Sequence, residues 1–255
     1  MLTRLADKVI LQPTTHPIPT DGKARRTISF PEGTFEVWIQ RTGGELLGEP
    51  HLFVLKFPGT GGRAERMSEH PAEVWPDLAA EVWTVNPPGY GTSGGRASLQ
   101  FTAAVADAVY GDLKKHAEGK PVVVTGNSLG CVAALYLAGN RDLHGLLLRN
   151  PPPLRQLIIG HHGWWNFGLS SFIAQQVPDE LCSITHAKHT RAPALFITSE
   201  RDRTIPPRYQ RQIIDAYAGE HQAMLLRDAD HATPIDESQL EEYLKHLSWL
   251  REVAL

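Results

Sequence analysis

A serine at position 128 stands between two glycines in Gly126-Asn127-Ser128-Leu129-Gly130, directly after a β-branched apolar run and directly before an Ala/Leu-rich stretch. A strand that turns sharply into a helix forces strained torsions on the residue at the corner and brings neighbouring backbones close. Glycines two positions either side remove the side chains that would obstruct the approach. The hydroxyl is then held clear of the sheet, beside the Leu129 amide and the positive end of the following helix, where the oxyanion of an acyl-transfer intermediate would form. With glycine at about 7% of residues, such a motif arises by chance in roughly one chain in ten of this length, so its weight comes from its surroundings. Three more apolar runs end in reactive or glycine-rich segments: Pro58-Gly59-Thr60-Gly61-Gly62, Glu200-Arg201-Asp202-Arg203 and Ala229-Asp230-His231. Serine, histidine and carboxylate at strand ends supply a nucleophile, a base that takes its proton, and an acid that orients the base.

The elements that must carry these residues follow from periodicity. The segment 26–41 alternates around a Pro-Glu-Gly turn and predicts an antiparallel hairpin. Short apolar runs at 51–57, 81–86, 121–126, 145–150, 193–199 and 222–228 predict buried strands, while 98–119, 128–139, 206–219 and 236–250 have helical spacing. Alternation of strand and helix implies a mostly parallel sheet covered on both faces, an α/β architecture whose chemistry lies at the carboxyl ends of the strands. Residues 151–191 are too long for a bare loop and predict a cap insertion of short helices. Without repeats or linkers, residues 1–255 read as one domain.

These motifs resemble the α/β-hydrolase superfamily, in its esterase and serine aminopeptidase-like branch, from about residue 26 onward. In that family the triad runs nucleophile, acid, histidine, an order that Ser128, Asp202 and His231 reproduce. The resemblance implies an oxyanion hole formed by the Leu129 N–H and a second amide after an early strand. "FPGTGG" occupies the place of the family's His-Gly-x pattern and assigns that second donor to Thr60, with Pro58 where the family has histidine. "NPPGYGTSGG" resembles the glycine loop after the next strand, and "APALFITSERDRTIP" the segment bearing the acid. The implied activity is hydrolysis of a carboxylic ester through an acyl-enzyme, with no cofactor and a small-molecule acyl substrate. Thioester, peptide or amide cleavage by the same triad, and a non-catalytic binding protein of this fold, remain open alternatives.

Asp202 is preferred over Glu200, Asp228 and Asp230 because it lies on the loop leaving a strand, with "RTIPP" behind it to stiffen that loop. Ser93 is the next candidate nucleophile. Trp164, Trp165 and Phe167 either line an apolar acyl pocket or pack the cap. His161, His162, His186 and His189 lack placed carboxylate or cysteine partners, so no metal site is expected. The net charge of −3 gives no footprint for nucleic acid, and the basic cluster 23–26 reads as a solvated loop. Two cysteines, Cys131 and Cys182, give no disulfide framework and suit a reducing cytoplasm. No run approaches the ~20 apolar residues of a membrane span, and neither a signal peptide nor a nucleic-acid partner is expected.

Overall fold

In the computed structural model the described residues are 2–20, 22–42, 48–162 and 169–255. Trp164, Trp165 and Phe167 fall outside them. The strands are β1 (Ala24–Phe30), β2 (Gly33–Arg41), β3 (Leu52–Phe57), β4 (Ala80–Asn86), β5 (Val122–Asn127), β6 (Gly145–Arg149), β7 (Ala194–Ser199) and β8 (His221–Leu226). The helices are α1 (Leu2–Leu11), α2 (Thr102–Ala117), α3 (Gly130–Asn140), α4 (Leu154–His162), α5 (Leu169–Gln175), α6 (Ser183–His189), α7 (Pro207–Ile214) and α8 (Glu237–Ala254).

All eight strands form one sheet in the order β1-β2-β4-β3-β5-β6-β7-β8. The predicted hairpin pairs antiparallel through Phe30 and Gly33 and joins β4 antiparallel; from β4 to β8 every pairing is parallel. Strands covered on both faces read as unbroken apolar runs, which is why β3 and β4 are buried along their whole length. The period of two divides their side chains. Phe53, Leu55, Val122, Val124, Leu146, Leu148 and Phe196 meet α2, α3 and α7 on one face, while Leu52, Val54, Val123, Leu147 and Leu195 meet Trp75 and α8 on the other.

Two elements depart from the sequence expectation. Helix α7 stops at Ile214 instead of continuing to 219, because Tyr217 turns inward, stacks edge-on against Phe196 at 5.1 Å and donates its hydroxyl to Ala192 O at 2.7 Å. The segment 151–191 divides by function. Helix α6 lies against α3 so closely that a Cβ on Gly139 would meet His186 Nδ1 at 2.6 Å, making α6 part of the helical layer. Helices α4 and α5 instead share an apolar cluster with Leu11 of α1, through Leu154, Ile158 and Ala174.

The turn from β5 into α3 fixes the sheet's carboxyl edge. A Cβ on Gly126 would lie 2.6 Å from Cys131 Cα, and one on Gly130 only 2.0 Å from Phe57 O at the end of β3. Gly130→Ala is therefore expected to destabilise the protein by about 3 kcal/mol or more, since backbone and not a flexible side chain must yield. Gly111, within α2, has open space around it. Gly111→Ala should stabilise by up to about 1 kcal/mol through helix propensity. Urea unfolding of the two variants checks both signs.

Candidate active site

Ser128 sits at the corner with φ +53, a left-handed conformation that non-glycine residues rarely adopt. Its surroundings hold it there. Its N–H donates to Arg149 O at 2.8 Å, extending the β5–β6 ladder one residue, and its carbonyl accepts from Cys131 N at 2.9 Å as α3 begins. Strain of about 1–3 kcal/mol at such a residue persists only when neighbouring bonds over-determine it.

His231 lies on the connection between β8 and α8. Its Nε2 is 2.9 Å from Ser128 Oγ and its Nδ1 2.7 Å from Asp202 Oδ2. In the tautomer these partners select, Nδ1–H donates to the carboxylate and Nε2 accepts from the serine hydroxyl. The loop's main chain is pinned from the end of β6: Asn150 Nδ2 donates to His231 O at 3.2 Å, and Arg149 Nη2 donates to Thr233 O. Asn150, itself at φ +50, is fully buried and ties its own N–H to Ile197 O at 2.8 Å.

Asp202 is buried, and donors converge on both of its oxygens. Oδ1 accepts from Thr204 N at 2.9 Å and Ile205 N at 2.8 Å; Oδ2 accepts from Gln210 Nε2 at 3.1 Å besides His231. Gln210, at the start of α7, also donates to Ile205 O at 2.7 Å, closing the loop on itself. The other acids near the strand ends are engaged elsewhere. Glu200 Oε2 accepts from Asp228 N, Asp228 pairs with Arg201 beyond the end of β8, and exposed Asp230 accepts from Thr233 Oγ1 at 2.9 Å. Ser93 is a structural hydroxyl, donating to Asn86 O at 2.8 Å and accepting from Glu36 N at 2.9 Å. Burial pushes the Cys131 thiol well above its ordinary value, which leaves it inert beside the elbow.

The two expected oxyanion donors lie on either side of the serine. Leu129 takes right-handed helical torsions immediately before α3. The 58–62 loop passes over the corner so closely that a Cβ on Gly59 would sit 3.2 Å from Ser128 Cβ. Among the described residues, neither the Leu129 nor the Thr60 N–H donates to a protein acceptor. That loop is held by the end of α1: Thr60 Oγ1 donates to Ile10 O at 3.0 Å and Gly61 N to Leu11 O at 3.0 Å. Carbonyls orphaned at a helix C-terminus thereby find partners. Helix α1 is docked in turn by buried Asp7, which accepts from Leu99 N at 2.8 Å, Ser98 Oγ at 2.9 Å and Arg96 Nη1 at 3.2 Å.

Above Ser128 and His231 opens a cavity of about 650 Å³, walled by Val9 and Ile10 of α1, Leu154, Leu157 and Ile158 of α4, and Ile173 of α5. No Asp, Glu, Lys or Arg lines it among the described residues. Helix α1 and the positioning residues Asn150 and Gln210 were not anticipated. The apolar spacing of Leu2, Leu5, Ala6, Val9 and Ile10 was a readable helical signal for α1, whereas nothing local marks the two amides. Among the described residues no group of three or more His, Cys, Asp or Glu is placed to hold a metal ion, and no helix is long and apolar enough to cross a membrane.

The fold is similar to that of solved hydrolases at low sequence identity. An esterase of Pyrococcus furiosus is 15% identical, with 94% of this chain and 96% of that chain covered and a TM-score of 0.70. A serine hydrolase without lid from Xanthomonas campestris is 16% identical over 93% of this chain and 97% of that one, with a TM-score of 0.59. An acylaminoacyl peptidase of Pyrococcus horikoshii is 14% identical with a TM-score of 0.64; 91% of this chain aligns with only 41% of that longer one. No curated protein matches the sequence. Residues 52–245, well over half of the chain, match the alpha/beta hydrolase family, and the protein belongs to that family.

Proposed function

We propose that the protein is a serine esterase that cleaves an uncharged carboxylic ester through an acyl-enzyme. The observation that carries this reading is the continuous hydrogen-bond chain from Ser128 Oγ through His231 to buried Asp202. Ser128 Oγ attacks the ester carbonyl as its proton passes to His231 Nε2. The oxyanion forms against the Leu129 and Thr60 N–H groups, and collapse returns the proton to the departing alcohol. Water then attacks the acyl-serine, giving its proton to the same nitrogen, and Ser128 is restored as the acid leaves. Asp202 keeps Nδ1 protonated and stabilises the transient imidazolium. Each oxyanion donor is worth about 2.7–4 kcal/mol in the transition state. The sequence chemistry requires no cofactor.

The preference for an ester rests on the cavity. Its walls are apolar and no carboxylate lines it among the described residues, so nothing there would hold the charged amino terminus of a peptide. Thioesters share the triad and the apolar demand and form the second class to assay.

Ser128→Ala should retain the wild-type unfolding midpoint and lose labelling by a fluorophosphonate probe; labelling at a comparable rate would remove Ser128 as nucleophile. Asp202→Asn should lower kcat by about 10⁴ through the wrong imidazole tautomer. Asp230→Asn, whose carboxylate faces Thr233 and solvent, should change kcat by less than about threefold, in line with an exposed polar contact. On p-nitrophenyl esters, kcat/KM should rise with acyl length by up to about fourfold per methylene as each is buried, while aminoacyl anilides should be poor substrates. A flat series with efficient anilide cleavage would reverse the assignment.

A further inference from the structure

A second cavity, of about 610 Å³, lies on the other face of the sheet, behind the nucleophile and under α8. Asn127 borders both cavities, but Ser128 lines only the first. The period of two assembles its floor. Val54 and Lys56 on β3, Val123 and Thr125 on β5, and Leu147 and Arg149 on β6 project to this side, and the last of each pair comes at the strand's carboxyl end. Lys56 is in register with Thr125, and Asn127 with Arg149, which sets the two cations two strands apart, about 10 Å across the sheet. Arg149 also stands two residues further along the strand direction, and both side chains line the cavity.

Buried cations are ordinarily paired with carboxylates. Lys56 is 9% exposed and donates to Ser68 O at 2.8 Å and His70 O at 2.6 Å, with one ammonium hydrogen uncommitted. Arg149 donates to Thr233 O, and its Nε has no hydrogen-bond partner among the described residues. Neither forms an ion pair among the described residues, although Glu73 and Glu69 lie near enough to act on Lys56, and Asp202 on Arg149. Arg66 adds a third positive group to the lining, against one acid, Glu73, whose Oε1 is 3.4 Å from His70 Nδ1. His70 Nε2 lies 2.5 Å from the Tyr243 hydroxyl. Burial, and then Lys56 and Arg149 together, drive the His70 imidazole down to about 4, so it is neutral at neutral pH. Burial also pulls Lys56 down to about 8. A negative ligand group would offset the push of the two cations on His70.

Apart from Ser68, Thr125, Asn127 and Tyr243, the rest of the lining is apolar. Leu147 and Ile197 rise from the sheet, Ile235 closes one side, and Leu240 and Leu244 of α8 stand at the rim, 43% and 38% exposed. A cationic floor under apolar walls is complementary to a head-and-tail molecule, and the Arg149 fork with the Lys56 ammonium matches a carboxylate head.

We propose that this second cavity binds a carboxylate carrying an apolar chain, its head between Lys56 and Arg149 and its chain along Leu147, Ile197, Ile235 and Leu240. The volume lies within the ~300–1,000 Å³ of ordinary small-molecule sites. Binding here needs no turnover at Ser128, so the proposal stands or falls separately from the esterase reading.

Calorimetric titration of sodium octanoate into the full-length protein at neutral pH tests it, with octan-1-ol as the uncharged comparison. Octanoate should saturate a site and bind at least about tenfold more tightly than octan-1-ol, a difference of about 1.4 kcal/mol. Lys56→Met should abolish the preference for the acid. Leu240→Glu, at an exposed rim position, places a carboxylate at the mouth without touching the core and should weaken octanoate by about tenfold or more. This second variant keeps the test decisive if Lys56→Met does not fold. Val9→Glu places the same charge at the mouth of the first cavity and should leave octanoate affinity within about twofold, a difference under 0.5 kcal/mol. Absence of saturable octanoate binding, equal affinity for octan-1-ol, or loss in Val9→Glu with retention in Leu240→Glu would each overturn the proposal.

Discussion

The carboxyl edge of the sheet depends on how closely three backbones approach around Ser128. The end of β3, the end of β5 and the first turn of α3 meet where Gly130 passes Phe57 O, with no room for a Cβ. That approach makes the left-handed torsion of Ser128 the geometry its neighbours impose. It also brings the 58–62 loop, which leaves β3, into contact with the serine. The corner is fixed from one side by β3 and from the other by the β6 carbonyl of Arg149, and the hydroxyl lies 2.9 Å from His231 Nε2. His231 is brought to it by a loop that the end of β6 likewise pins, through Asn150 and Arg149. These contacts couple residues far apart in the chain, so the site depends on β3, β5, β6 and the loop after β8 being assembled together.

The 58–62 loop takes its support from outside the sheet. Pro58 has no side-chain donor, and the loop's hydrogen-bonding groups instead meet the last carbonyls of α1. The interaction serves both partners. The helix end gains donors for carbonyls that would otherwise face the apolar cavity, and the loop is fixed in register beside Ser128. Asp7, with its three donors on residues 96–99, carries the load to the glycine loop after β4. The amino-terminal helix therefore acts as one wall of the cavity and as the brace of an expected oxyanion donor.

Much of the fold was legible because burial on both faces leaves an unmistakable mark. Runs such as those of β3, β5 and β7 have little room for polar residues, and the two glycines flanking Ser128 have no other economical reason to stand where they do. That Ser128, Asp202 and His231 come together could be anticipated because reactive types at strand ends are few. What escaped detection was long-range polar complementarity. Asn150 reaches across 81 residues to the His231 carbonyl, and α1 is held by partners 50 and 92 positions away. A buried amide looks in sequence like any surface asparagine. The length of 151–191 did signal inserted helices, but only three-dimensional packing separates α6, which completes the layer on α3, from α4 and α5, which face α1.

The sheet also separates two electrostatic environments across its own thickness. Side chains alternate along each strand, so the positions that end in Lys56 and Arg149 project away from the face that carries α3, and the ammonium and guanidinium collect under α8. On the side of Ser128 and His231 the walls carry no formal charge among the described residues. That segregation has a chemical consequence. On the esterase reading, the backbone N–H groups of Leu129 and Thr60 would face a developing oxyanion with no formally charged wall beside them. With the charges behind the elbow, that reading leaves the oxyanion to backbone dipoles, and the one residue common to both cavities among the described residues, Asn127, is a neutral amide.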